Sequence, residues 1–429
     1  MIKKTSLFFP IIAFSMLFLG IQSCAEQTSK QQEFNKNSKY YFDGSISREV
    51  LENYLDRSVT AGNYLVPGDA GPYKFPYRWD DERMLKNIGA KFIGRAMYRW
   101  GDESDFGDPI FFTYAKEHIE RLHAHDPEII FQGCLFEYVS NDVNNLAIPP
   151  WVFEAFDLPV EKRNFRAEDM IKRSSTEGQT PSRRGGCPLI NNLETKLYFY
   201  YLAKSFIDIG CEAFHLGQVE LIGKDDPDKT HYAAFLQKIR DYAKENARRH
   251  YILLDGHTPK HGFIKDGVSL LDFNSFPLRI KEVEGKPMEG KLEVGNSDGL
   301  YQKSLGAISP SGWKAESMPY LVEFDNFGVR REPPLGESND DIYCWGYDDI
   351  TWFAVQPEEY RNKWLWYAFD WLRETDPNGH LQMCVIRMIY GPTANETLGS
   401  YFANTKSLAC PVGFSQEETI KEIWNTRLK

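Results

Sequence analysis

The chain carries no G-x-G-x-x-G after its first expected strand and no Walker A pattern, so it lacks the glycine-rich loops that cradle nucleotide phosphates. It also lacks paired CxxC cysteines, an H-E-x-x-H helix and an HxH at the end of a first strand, the usual sequence frameworks of zinc centres. Positive charge is in deficit: 50 Lys and Arg stand against 61 Asp and Glu, a formal net charge of −11. Such a surface repels phosphate backbones, so no nucleic-acid partner is expected. Past the first two dozen residues no apolar run is long enough to span a bilayer, and no repeat of fixed period is visible.

At the N-terminus, Lys3 and Lys4 precede an apolar segment over 7–21 that ends Ile21-Gln22-Ser23-Cys24. About 15 apolar residues fall short of the roughly 20 that a spanning helix needs. A positive start, a short apolar stretch and a terminal cysteine resemble a bacterial lipoprotein signal peptide over 1–23. That resemblance implies export, a lipid on Cys24, and membrane attachment through this anchor only. Residues 24–38, rich in Gln, Ser, Lys and Asn, then read as a flexible tether. The remaining cysteines are widely and irregularly spaced; Cys134, Cys211 and Cys384 lie in apolar runs and read as buried thiols.

From residue 39 to 429 the composition is globular, 42% hydrophobic and 26% charged. Short apolar runs over 40–43, 91–100, 129–139, 213–222, 251–255, 269–276, 320–325 and 381–389 read as strands. Segments of helical period alternate with most of them, the first over 48–60 behind a Ser47 cap. The run over 129–139 is nearly continuous, as in a strand covered on both faces. Eight strands alternating with helices predict an α/β fold, a (β/α)8 TIM barrel, with insertions at about 140–190, 281–319 and 328–356.

In such barrels chemistry sits where strands end, so polar residues at the close of each run are the candidates. The chief pair is Glu220, ending the run from Phe214, and Glu323, ending the run from Tyr320. Around them fall Trp100, Glu137 with Tyr138, Gln218, Asp255 with His257, Asp325 with Asn326, and Arg387. Asp325 lies two residues beyond Glu323 on the same face and could take its role; Glu137, Asp255 and Asp272 are further substitutes. Arg387 either fixes a substrate group or forms an internal ion pair. Trp100 and Trp345, in loops over the mouth, are suited to stack on sugar faces, and aromatic residues make up 14% of the chain.

With these residues in place, the chain resembles the (β/α)8 glycoside hydrolases of the clan whose acid/base Glu ends strand four and whose nucleophile Glu ends strand seven. The resemblance implies Glu220 as acid/base, Glu323 as nucleophile or base, a poly- or oligosaccharide substrate and no cofactor. It holds at the level of architecture. Members of that clan usually place Asn immediately before the acid/base, where this chain has Val219 with Gln218 one step earlier. Two other readings stay open: a non-catalytic glycan-binding lipoprotein on the same scaffold, and a metal-dependent hydrolase using Asp255, His257 and His261.

Overall fold

The computed structural model describes residues 34–68, 76–171, 185–294, 304–326, 345–390 and 397–428. The expected signal peptide and Cys24 lie outside the described residues, as does most of the insertion at 328–356.

Eight parallel strands form the ring: β1 (Ser58–Ala61), β2 (Phe92–Met97), β3 (Ile130–Cys134), β4 (Ala213–Gln218), β5 (Leu253–His257), β6 (Asn274–Pro277), β7 (Tyr320–Glu323) and β8 (Gly379–Tyr390). Each pairs with the next, and β8 pairs back onto β1 through Val59 and Met383, which closes a TIM barrel. β8 outruns the ring, and its end pairs antiparallel with β9 (Thr397–Phe402). Helices α1 (Arg48–Asp56), α2 (Arg78–Ile88), α3 (Pro109–His125), α4 (Leu193–Asp208), α5 (Thr230–Asn246), α6 (Glu358–Thr375) and α7 (Glu417–Arg427) wrap it. No described helix separates β5, β6 and β7. Instead Ile264–Lys265, Val268–Ser269, Ala307–Ile308 and Lys314–Ala315 form a small sheet of their own.

The first strand is not where the sequence suggests. Ser47 does cap α1, its side chain accepting from the Val50 amide, but the helix stops at Asp56 and β1 follows at once. A four-residue strand shows no period of two, and Val59 continues the helical spacing of Val50, Leu51 and Leu55, so the boundary is invisible in the pattern. Residues 40–43 form no strand. Tyr40 and Phe42 instead pack with Tyr54 against Phe92, Ile130, Ala213 and Leu253, residues at the beginnings of barrel strands. They close the N-terminal end of the barrel with aromatic side chains, Tyr40 and Phe42 both meeting Tyr54 edge-on.

One layer higher, toward the C-terminal ends, the barrel interior turns polar. Gln132 and His215 both bond to Asp255, at 2.5 and 2.7 Å, and Ser275 donates to the same carboxylate. Gly94 makes room for this layer, since a Cβ there would lie 2.3 Å from the Gln382 amide nitrogen. Buried polar groups tolerate the interior only when bonded to one another, and here they are nearly all paired.

Candidate active site

Above the polar layer lies a cavity of about 610 Å3, to which every strand or the residues just past it contribute. β2 runs on into Tyr98, Arg99 and Trp100, and β3 into Phe136, Glu137 and Tyr138. β4 ends at Gly217 and Gln218, and β5 at His257; β7 leads to Asp325 and Asn326, and β8 supplies Arg387. The site is at the C-terminal face, as expected for this architecture.

One wall is aromatic. Trp100 stacks on Tyr138 with ring centroids 5.5 Å apart and planes 14° off parallel, and Phe136 packs behind Trp100 at 5.2 Å. Trp100 remains 52% exposed, so its indole face is available to a ligand. Glu137 projects from the same loop. Its Oε2 accepts from the Gln218 amide at 3.1 Å, and it fits because residue 217 is glycine: a Cβ there would sit 2.0 Å from that oxygen. Gly217 also has φ +56°, in the left-handed region, where the pairing with β5 shifts register before Gln218.

The turn after Gln218 decides the place of Glu220. Past Gln218 the chain coils into a helical turn, Val219–Ile222, which carries the Glu220 side chain away from the cavity. Its Oε2 pairs instead with the exposed Lys260 at 2.9 Å. Glu323 lies beneath the cavity floor, 2% exposed. Arg95 donates to both its oxygens, Nε to Oε2 at 2.7 Å and Nη2 to Oε1, and His257 Nε2 lies 2.8 Å from Oε1. Burial raises the pKa of such a carboxyl, but the Arg95 charge and the His257 bond outweigh it and hold Glu323 well below the usual range. It is therefore a fixed anion. The structure does not bring Glu220 and Glu323 face to face; the carboxylates that line the cavity are Glu137, Asp325 and Asp102.

The other sequence candidates divide in the same way. Gln218, His257, Asn326 and Arg387 line the cavity with Trp100 and Tyr138. Asp325 pairs with Arg279 at 3.1 Å and accepts from the Asn326 amide at 2.8 Å. Asp255 lies in the polar layer below, and Asp272 is tied to Arg240 and the Leu254 amide. Trp345 is buried, its amide bonded to Glu282 Oε1 at 2.7 Å, and belongs to the core rather than to the cavity wall.

Two residues that line the cavity escaped the sequence reading, Arg95 and His215, because both stand inside strands and not at their ends. The signal was there: a charge or an imidazole within an apolar run must have a partner inside the barrel. His215 Nδ1–H donates to Asp255. Burial and the Arg95 charge keep the ring neutral against the pull of that carboxylate, and Nε2 is left buried without a partner. His215, His257 and Glu323 place ligand-type atoms within 4.8 Å of one another. The donor set suits a metal ion, but Arg95 occupies both Glu323 oxygens and sets a positive charge at the same spot. His261 is not in this group.

No family model and no curated protein sequence matches the chain. Several solved structures do, and they are glycoside hydrolases. The debranching enzyme of Nostoc punctiforme matches in its acarbose-soaked form with TM-score 0.41 and 12% identity over 90% of this chain and 83% of that one. In its native form the match has TM-score 0.31 and 12% identity over 55% of this chain and 53% of that one, so here the chain spans about half of that enzyme. Endo-glycoceramidase II from Rhodococcus sp. matches with TM-score 0.38 and 12% identity over 85% and 77%. At these values the likeness carries no argument, and the barrel rests on the strand pairing itself.

Proposed function

We propose that this chain is an exported, lipid-anchored glycoside hydrolase in which Glu137, rather than Glu220, donates the proton to the leaving oxygen. The observation that carries the reading is the cavity itself, where an exposed Trp100–Tyr138 stack stands next to carboxylates at the ends of barrel strands. Such a wall takes the C–H face of a sugar ring, while a carboxyl held by a backbone amide is within reach of the glycosidic oxygen. Asp325, on the opposite side of the ring of strands, is the second carboxylate, serving as nucleophile or as base toward water. His215 Nε2 accepts a hydrogen bond from a sugar hydroxyl.

The test is a panel of poly- and oligosaccharides with product analysis by mass, run on the wild type, Glu137→Gln and Asp325→Asn. Full activity in both variants sinks the assignment. One observation favours the binding-only alternative: Arg95 and His257 consume the oxygens of Glu323, the acid the clan pattern would use as nucleophile. Capture of a glycan that is never cleaved supports that alternative. Cys24 lipidation is checked by the mass of the mature N-terminus.

A further inference from the structure

Four arginines reach the cavity, and they are not equivalent. Arg95 is spent on Glu323, Arg99 pairs with Asp105, and Arg279 pairs with Asp325. Arg387 has no carboxylate within ion-pair distance among the described residues. Its Nη2 donates to the neutral amide oxygen of Asn326 at 2.8 Å, and its Nε is buried without a partner. The side chain is as deep as the paired arginines, the residue only 4% exposed. Glu323 feels the Arg387 charge, but its oxygens are already taken by Arg95 and His257.

A buried cation with a single neutral partner is costly in the free protein, because the lost hydration is not returned by an opposite charge. Such a cost makes sense where a ligand supplies the charge. The overall charge of −11 shows that Arg387 is no part of a generally basic surface. The planar edge formed by the two Nη groups of a guanidinium matches the two oxygens of a carboxylate in a bidentate pair. Across the cavity stands the Trp100–Tyr138 wall that accepts a sugar face.

We propose that the cavity is built for an acidic sugar, a uronic acid residue whose carboxylate pairs with Arg387. The inference rests on the carbohydrate reading above and adds the substrate class. A sulfate ester would bring the same charge with tetrahedral oxygens, so the test separates the two anions.

The experiment titrates the purified protein with disaccharides containing glucuronate or galacturonate, with their neutral counterparts and with 6-sulfated counterparts, by calorimetry. Wild type, Arg387→Met and Arg387→Lys are compared. A charge-assisted bidentate pair predicts that the uronate binds at least about tenfold tighter than its neutral twin. Arg387→Met should erase that gap, and Arg387→Lys should keep part of it. Thermal melting is the control for folding: without ligand Arg387→Met should melt as a single folded species, and the uronate should raise the wild-type midpoint further than it raises that of Arg387→Met. Equal binding of neutral and uronate sugars, a preference that survives Arg387→Met, or a stronger response to sulfate would each overturn the proposal while the hydrolase reading stands. Failure of every sugar to bind would overturn both.

Discussion

The two ends of the barrel are built on opposite principles. At the N-terminal end Tyr40, Phe42 and Tyr54 seal the strands with aromatic packing. Toward the C-terminal end the same strands carry Arg95, His215, His257, Glu323 and Arg387, groups whose charges are balanced by one another or left waiting. Energy at the bottom comes from buried area, and at the top from pairing that must be complete. The contrast teaches that a substitution at the bottom should cost stability alone, whereas one at the top separates stability from function according to whether the residue is paired.

The largest expected effect is on chemistry. Glu137→Gln should lower turnover by about 10²- to 10⁴-fold with an unchanged melting midpoint, since loss of a general acid costs roughly that much; an assay on the best substrate found, beside a thermal melt, checks both halves. Arg95→Met comes next. It leaves Glu323 as an uncompensated buried charge and should destabilise by about 3–5 kcal/mol in urea unfolding. The double variant Arg95→Met/Glu323→Met should recover most of that loss, and failure to recover would blur the distinction between the two ends.

Phe92→Ala, at the bottom, should cost a similar or slightly smaller amount, about 3 kcal/mol or more, with ligand affinity untouched. A pH series tests the top layer directly. Glu323 is held well below its ordinary 4.5, so the unfolded chain takes up the proton more readily than the folded one. Its contribution is full at neutral pH, begins to fade as the pH falls through about 4.5 and is lost below the folded value. The stability gap between wild type and Glu323→Gln should therefore narrow on acidification, and a gap that stays constant from pH 7 to pH 3 would contradict the pairing. Smallest is Trp100→Ala, which should weaken glycan binding by about 1 kcal/mol and change stability by less than about 0.5 kcal/mol, the side chain being half-exposed.

Much of this was readable in the sequence. The runs from Phe214 and Tyr320 do become strands four and seven, and the polar residues that close most of the runs do gather around one cavity. What the sequence could not convey was local. β1 is too short for a period to show. Glu220 is displaced because the chain past Gln218 coils into a helical turn, and a single turn leaves no mark in hydrophobic pattern. Arg95 and His215 were hidden by their place inside apolar runs, where side chains at i and i+2 share a face but their partners lie on strands far away in sequence. Arg387 was legible as a choice between two roles, and its lack of an ion pair among the described residues supports recognition.

Gly217 has a further consequence. This position carries no chemistry, yet any side chain there would meet the Glu137 carboxylate and also force a left-handed torsion on a residue with a Cβ. Every substitution of this glycine therefore disturbs the backbone and the Glu137 carboxylate in one step, with no change that spoils only one. Strand four is thus fixed at its end by a residue with nothing to contribute but its emptiness, and descendants of this sequence can vary the aromatic wall or the arginines far more freely than they can vary that glycine.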